Sequence, residues 1–340
     1  MMEPRIESNF TISQQARFVF GKPYVPGKTE FLLNHGRSAV LLALRALELP
    51  TGARVGVMVY NCHTVMNAIE QAGCVPVFVD VDDNLNLDIH DLEGKADGMS
   101  VLVVTHLFGI VNDVGKIKEL FPGLVIIEDC AHAYGIENIT GDFATFSLGQ
   151  GKLPSIGDGG LLLVRNEKYY DQVAAQYDNL PKYSFMNSLL LFLRLRLKSW
   201  MCCSFIYGWF TLPLKLSRPI ASPKDPIIMR KMCRGISAVF AAEKLCVPER
   251  IKLRKEKAEE IKASLRKKGV LQTMVGINAF MFVVKCEYPK DIQMEFRAKG
   301  IETATHFANS LTWAKEFGYQ QGSCPKIEEI VNRLLMIPTY

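Results

Sequence analysis

The sequence has few histidines and none of the spacings by which proteins commonly hold metal ions. Its six histidines form no HxH or HExxH pattern, and its nine cysteines form no CxxC pair. Both absences argue against a zinc site or a similar metal centre. The odd number of cysteines also excludes a framework in which every cysteine is paired. We therefore expect free thiols, a reducing cytoplasm and no bound metal.

Three further absences narrow the class of protein. The N-terminal stretch MMEPRIESNFTISQQ has no basic region followed by an apolar core, so it does not predict a secretory signal. No GxGxxG follows an early strand, which disfavours a nicotinamide-dependent enzyme. The net charge of +5 is small, and no long basic helix or RNA-binding signature accompanies it, so nucleic acid is not an expected partner.

Between residues 37 and 170, strand-like and helix-like segments alternate. ARVGVMVY, VPVFVDVD, VLVVTHLFG and LVIIEDCAHAYG are continuously apolar, as strands buried on both faces are, and DFATFSL and GGLLLV follow as two short strands. The intervening segments GRSAVLLALRALEL, TVMNAIEQAG and DVGKIKELF have helical spacing. This alternation predicts an α/β fold with a mostly parallel central sheet flanked by helices. Ligands of such sheets bind beyond the carboxyl ends of the strands, where Asp129, His106 and Tyr60 stand.

Residues 184–222 lack acidic side chains altogether and form the most unusual part of the sequence. Their longest uncharged run, residues 199–214, has 16 residues, fewer than the roughly 20 that a membrane-spanning helix needs. Two interpretations stay open. The segment is either a buried helix pair at a subunit interface, or an interfacial segment that lies on an anionic membrane. Its basic residues are Arg194, Arg196, Lys198, Lys215 and Arg218.

The remainder predicts a second, smaller α+β domain. Residues 235–269 resemble one long helix with a charged face, INAFMFVVKC a strand, and both PKDIQMEFRAKG and KIEEIVNRLLMIP helices. We therefore divide the chain into a large α/β domain over 1–183, a basic hydrophobic insertion over 184–224 and a smaller domain over 225–340.

One glycine-rich loop carries the strongest chemical signal. In GDFATFSLGQGKLPSIGDGG, residues 141–160, Lys152 follows Ser147 by five residues. A lysine of lowered pKa can form a Schiff base with an aldehyde, and a serine hydroxyl can bind a phosphate. Asp129 ends a very apolar strand and needs a partner such as a protonated ring nitrogen, while HGRSA opens a helix whose N-terminus suits an anion. Together these groups describe a site for pyridoxal 5'-phosphate, PLP.

In order and spacing, the motifs resemble those of the DegT/StrS family of PLP-dependent sugar aminotransferases, which have fold type I. The matching segments are AGCVPVFVDVD, THLFG, EDCAHAYG, GDFATFSLGQGK and GDGG. The end of the chain, from KGIETATHFANSL to MIPTY, is also similar to the end of family members. The resemblance covers most of residues 30–170 and 225–340.

The resemblance implies roles for three residues at the cofactor ring. Lys152 matches the lysine that forms the Schiff base and then moves a proton as general base and acid. Asp129 matches the partner of the pyridinium nitrogen, whose protonation makes the ring an electron sink. His132 matches the residue near the phenolic oxygen of the cofactor.

The resemblance also implies a phosphate cup formed by Ser147 with the amides of Arg37 and Ser38. Family members usually add an asparagine from the neighbouring subunit, and here IMRKMCRGISA offers Arg230 at that place. Because the family's active site is shared between two subunits, a homodimer is expected.

The segment that should stack on the cofactor ring departs from the family pattern. The family usually stacks an aromatic side chain on the cofactor ring, but the segment VYNCHTV offers only Cys62 and His63, of which His63 is the expected stacking residue. His306 and Tyr60 are expected to contact substrate.

The leading functional hypothesis is an aminotransferase that moves an amino group, from glutamate, to a nucleotide-activated keto sugar for surface polysaccharide or natural-product synthesis. A lipid-linked sugar is an alternative acceptor. A sugar dehydratase of the same family is disfavoured because its lysine is typically replaced by histidine. A catalytically idle, membrane-associated scaffold or regulatory protein on a borrowed fold is the alternative from another class.

Overall fold

The larger of two sheets confirms the predicted fold class. The computed structural model describes residues 2–4, 10–213 and 223–340. Seven strands lie in the order β1-β7-β6-β5-β4-β2-β3. Neighbours from β3 through β6 are parallel, and β7 runs antiparallel to β6 and β1. The strands are β1 Glu30–Leu33, β2 Arg54–Met58, β3 Val75–Val79, β4 Met99–Thr105, β5 Val125–Asp129, β6 Phe143–Ser147 and β7 Gly160–Val164.

Helices flank this sheet, and the most buried of them is central to the site. Nearly every residue of α2 from Ser38 to Ala46 is buried, because its alanines, leucines and Val40 pack against β6, β7 and the neighbouring helices. The helices of this region are α1 Ile12–Phe20, α2 Gly36–Ala46, α3 His63–Gln71, α4 Ile89–Lys95, α5 Val114–Leu120 and α6 Tyr170–Asp178.

The basic hydrophobic segment forms a long helix, α7 (Phe185–Met201), whose N-terminus is capped by the side chain of Ser184. A turn at Ser204–Ile206 leads into a π-helix at Tyr207–Thr211. Lys215 and Arg218 lie outside the described residues. In the part of the chain that the structure describes, no helix combines the length and apolarity needed to cross a membrane.

The C-terminal region contains a small antiparallel sheet in the order β10-β9-β8. Its strands are β8 Thr273–Val275, β9 Met281–Lys285 and β10 Leu334–Pro338. The helices of this region are α8 Arg234–Glu243, α9 Val247–Arg266, α10 Pro289–Ala298, α11 Ser310–Lys315 and α12 Pro325–Ile330. The domain boundaries near residues 184 and 225 stay predictions.

Two predicted helices differ from the structure. The long helix expected from residue 235 is divided into α8 and α9 by a 3-10 turn at Lys244–Cys246, because Pro248 at the start of α9 has no amide hydrogen to continue the helical pattern. The helix expected over KIEEIVNRLLMIP ends at Ile330, and its last five residues form β10. Every residue of β10 is buried, and the pairing of β10 with β9 outweighs local helical spacing.

Candidate active site

A cavity of about 380 Å³ lies beyond the carboxyl ends of the parallel strands. Asp129 is the last residue of β5, and Ser147 is the last residue of β6. The parallel pairing of these strands brings both side chains to one edge of the sheet. Lys152 reaches the same cavity from the loop after β6, and His132 from the loop after β5. Four predicted site residues are therefore together.

Asp129 is a buried carboxylate held in one orientation. Only 5% of the residue is exposed, and one carboxylate oxygen accepts a hydrogen bond from the Ala131 amide at 3.1 Å. The Thr105 hydroxyl donates to the other oxygen at 3.3 Å, and it accepts in turn from the Asn61 amide group at 2.8 Å. Burial raises the pKa of Asp129, while its hydrogen bonds and the charge of Lys152 oppose that rise. A cationic group would therefore complete its environment.

Lys152 presents an amine with no fixed partner. Its Nζ lies 5.4 Å from the centre of the Phe280 ring, and no described residue forms a hydrogen bond or an ion pair with it. Desolvation lowers the pKa of Lys152, and the nearby Cys62 and Asp129 partly counteract the shift. A lowered pKa increases the fraction of neutral amine, which is the nucleophilic form.

His132 is a neutral ring with a defined hydrogen-bonding direction. Burial lowers the pKa of His132 well below its ordinary value, and the charges of Lys152 and His306 lower it further. Its Nδ1 accepts a hydrogen bond from the Phe108 amide at 3.2 Å, so the neutral ring carries its proton on Nε2. The ring stacks on Phe280 with 4.4 Å between centroids. His132 can therefore donate one hydrogen bond from a fixed plane.

The start of α2 and the end of β6 form a narrow anion cradle. A Cβ added to Gly36 would lie only 2.8 Å from the Ser147 Cβ, so the backbone here approaches Ser147 as closely as glycine permits. No side chain caps the first turn of α2, which leaves that helix end available to an anion. Arg37 lines the same cavity. Ser38 does not line the cavity. Its amide donates a hydrogen bond to the His35 carbonyl oxygen at 3.1 Å, so the predicted contact of this amide with the phosphate is not seen.

Two contacts of Asp158 connect this cradle with α7. His35, the residue before α2, pairs through Nδ1 with Asp158 at 2.6 Å. The other oxygen of Asp158 lies 3.6 Å from a guanidinium nitrogen of Arg194 in α7. Arg194 and Lys198, one helical turn apart, both line the cavity.

His63 and Arg230 do not line the cavity of the described chain. The His63 ring packs on Trp313 with 4.7 Å between centroids, whereas Asn61, Cys62, Thr64 and Val65 around it line the cavity. The His63 side chain therefore faces the C-terminal region and not the cavity. The guanidinium of Arg230 lies 5.8 Å from the centre of the Tyr183 ring.

The two expected substrate residues, Tyr60 and His306, do not line the cavity of the described chain. Tyr60 is fully buried, and its hydroxyl donates to the His306 carbonyl oxygen at 2.5 Å. The ring of His306 packs beside Phe307, and of these three residues only Phe307 lines the cavity. The hydroxyl of Tyr60 thus supports the C-terminal loop rather than a bound molecule.

Sequence reasoning missed several residues around the reactive groups. Thr105 ends β4 and pairs in register with Asp129 of β5. Because parallel strands end at the same edge of the sheet, the sequence could have indicated Thr105 as a neighbour of Asp129. Phe280 and Phe307 come from the distant C-terminal region, and no local pattern indicates them. Arg194 lies in a segment whose composition suggested only a membrane or a subunit as its partner.

The residues present fit PLP. The buried Asp129 carboxylate faces the cavity beside Lys152, the Lys152 amine is unpaired among the described residues, and the Gly36 cradle has the close backbone approach that a phosphate requires. Another buried cluster, His106 with Glu128 and Cys130, does not form an open metal site. Both oxygens of Glu128 and both ring nitrogens of His106 already have hydrogen-bond partners.

Comparison with known proteins adds independent information. Residues 24–180 match the profile of the DegT/DnrJ/EryC1/StrS aminotransferase family. GDP-perosamine synthase of Escherichia coli O157:H7 is 32% identical over 150 residues, which are 41% of each chain. UDP-N-acetyl-3-dehydro-alpha-D-glucosamine 3-aminotransferase of Acidithiobacillus ferrooxidans is 35% identical over 139 residues, 38% of each chain. This chain thus aligns with about two fifths of the length of these relatives.

The fold is shared over the whole chain. Spr1654 of Streptococcus pneumoniae, solved in its PLP form, superimposes with a TM-score of 0.75 at 17% identity. The superposition covers 100% of this chain and 94% of that one. At this identity, the likeness shows the fold alone.

Proposed function

We propose, from the match of residues 24–180 to the DegT/DnrJ/EryC1/StrS aminotransferase family, that the chain is a PLP-dependent aminotransferase acting on a keto sugar. The observation that carries the proposal is that Lys152 and Asp129 face one cavity together with the Gly36 cradle. We further propose glutamate as the amino donor and a nucleotide-activated keto sugar as the acceptor, for surface polysaccharide or natural-product synthesis.

The arrangement assigns a task to each residue of the chain. When bound, PLP supplies an electron sink through which an amino group can pass between two substrates. Asp129 would hold a proton on the ring nitrogen, because its buried carboxylate is stabilised by a cation. His132 would donate its Nε2 proton to the phenolic oxygen. Ser147 and the first turn of α2 would bind the phosphate.

Lys152 would both anchor the cofactor and move protons. Its pKa is lowered by burial, so the amine can act as a nucleophile and, once released, as general base and then general acid at the substrate carbon. The apolar rings of Phe280 and Phe307 would exclude water from this step.

Borohydride trapping tests the assignment of Lys152. The purified chain is incubated with PLP and reduced with sodium borohydride, and peptides are mapped by mass spectrometry. We expect a pyridoxyl group on Lys152 and its loss in Lys152→Ala. Lys198→Ala removes the other lysine of the cavity and serves as the matched control. Labelling spread over surface lysines, unchanged in Lys152→Ala, would contradict the proposal.

Amino transfer itself needs a second measurement. Glutamate added to the PLP-loaded chain should convert the cofactor to pyridoxamine phosphate and release 2-oxoglutarate, both quantified by chromatography. No conversion with glutamate or glutamine would favour the idle scaffold. The presence of lysine rather than histidine at position 152 already counts against the dehydratase.

A homodimer is the proposed assembly. Arg230 does not line the cavity of its own described chain, as expected if it serves the neighbouring subunit. Light scattering after size-exclusion chromatography should give twice the chain mass, and Arg230→Ala should weaken PLP binding without altering that mass. A monomer that binds PLP with full affinity would contradict this part of the proposal. We also propose that residues 184–222 contact a membrane, through the exposed side of α7.

A further inference from the structure

Helix α7 is seated on the cavity loop by one side only. Leu191 and Leu195, one turn apart, are its buried side chains. A Cβ added to Gly157 would lie 2.6 Å from a methyl group of Leu195, so the glycine of the cavity loop makes room for this contact. The ion pair between Arg194 and Asp158 lies beside it. The orientation of α7 is therefore determined by packing and by charge.

The opposite side of α7 is an apolar stripe without a partner among the described residues. Its side chains recur at spacings of three and four, which places them along one face. Between 40% and 62% of each is exposed, and exposed apolar surface of this extent marks an interaction site. The stripe consists of Met186, Leu189, Leu190, Leu193, Leu197 and Trp200. The turn that follows adds Phe205, Trp209 and Phe210, which are 69%, 74% and 64% exposed.

Charge favours one kind of occupant for this outer face. Arg196 flanks the stripe on one side and Arg194 on the other, as the helical spacing requires. Lys198 follows Arg194 by one turn and lies closer to the buried side, where it lines the cavity. Residues 184–222 contain no acidic side chain. A second copy docked so that α7 meets its own counterpart would oppose cations to cations, with no carboxylate from the segment to pair them. An anionic lipid surface satisfies both the apolar stripe and the cations.

The cavity opens beside this face. Arg194 and Lys198 line the cavity that contains Lys152 and Asp129, and they belong to the helix that carries the stripe. We propose that the outer face of α7 docks the chain on an anionic membrane, where Arg194 and Lys198 bind the phosphate of a lipid-linked sugar substrate. The substrate half of this inference rests on the proposed function, whereas the docking half does not.

Flotation with vesicles tests the docking. Wild-type protein is mixed with vesicles of phosphatidylcholine alone or with added phosphatidylglycerol and centrifuged through a density gradient. We expect flotation only with phosphatidylglycerol, weakened about fivefold for each flanking cation removed. The double variant Leu193→Glu with Leu197→Glu should stay at the bottom. Leu245→Glu with Leu253→Glu is the matched control, because both leucines are exposed but lie outside α7.

Two outcomes would overturn the docking. One is wild-type protein that does not float with anionic vesicles, which would leave a protein partner as the occupant of the stripe. The other is a fall from dimer to monomer mass in the Leu193→Glu, Leu197→Glu variant, which would identify a second copy instead. Circular dichroism and PLP uptake of each variant show whether it is folded.

The substrate half has its own probe. Vesicles that carry geranylgeranyl diphosphate are compared with phosphatidylglycerol vesicles of equal charge. We expect tighter binding to the diphosphate and loss of that difference in Arg194→Ala with Lys198→Ala. Equal binding to both vesicles would overturn the lipid-linked substrate and leave the docking intact. PLP attachment to Lys152, measured in parallel, fails only if the proposed function itself is wrong.

Discussion

The close approach of Gly36 to Ser147 allows a sharp test of the phosphate cradle. In Gly36→Ala the new methyl group would lie 2.8 Å from the Ser147 Cβ and 3.1 Å from its Cα. Carbon atoms in favourable contact are about 3.5–4.0 Å apart, so one of the two segments must move. Ser147 is paired with Gly160 in the sheet and cannot move freely. Overpacking of this kind costs about 1–3 kcal/mol, and the displaced cradle should bind PLP at least about tenfold more weakly.

Gly94→Ala is the matched control for this substitution. Gly94 lies in α4, and its added Cβ would meet no atom within 4 Å, so alanine should stabilise the helix by about 0.5–1 kcal/mol. Urea denaturation measures both stabilities, and quenching of tryptophan fluorescence measures the PLP affinity. If Gly36→Ala binds PLP as tightly as Gly94→Ala does, the phosphate does not occupy this cradle and the reasoning is refuted.

Three other substitutions test single interactions. Asp129→Asn removes the carboxylate that favours the charged form of Lys152, so the pKa of Lys152 should fall and the midpoint of PLP attachment should move to lower pH; an unchanged midpoint would show that the two groups do not interact. Tyr60→Phe removes the hydrogen bond from the Tyr60 hydroxyl to the His306 carbonyl oxygen and should lower the free energy of unfolding by about 1 kcal/mol in urea, without the change in substrate KM that a binding role would bring. Asp80→Ala leaves two backbone amides at the start of α12 unpaired and should lower that free energy by about 2 kcal/mol, whereas the exposed Asp97→Ala should have no effect.

Much of the site could be predicted because strand order and apolar runs are local signals. Continuous burial of β4 and β5 follows from their sequences, and parallel pairing brings Asp129 and Thr105 to one edge. The segment AGCVPVFVDVD, which resembles the family pattern, contains Asp80, and the structure shows which contacts this residue makes. Its carboxylate accepts hydrogen bonds from the first amides of α12, which connects the sheet edge to the C-terminal region.

The rest depended on partners that lie far along the chain. His63 leaves the cavity because it packs on Trp313, 250 residues later in the sequence. The last residues of KIEEIVNRLLMIP carry a helical spacing that pairing with β9 overrides. Composition identified residues 184–222 as unusual, but only the fold shows that Leu195 packs against Gly157 and turns Arg194 toward the reactive groups.

Asp158 contacts both Arg194 of α7 and His35, the residue before the cradle, so one carboxylate joins the two ends of the site. A ligand that shifted α7 would act on the cradle through this shared carboxylate and would change the free energy of occupying it. Such coupling is reciprocal: whatever factor a lipid surface adds to cofactor affinity, the cofactor must add to lipid affinity. The loaded and unloaded forms of the protein would then distribute differently between membrane and solution, and the location of the protein would report the state of its site.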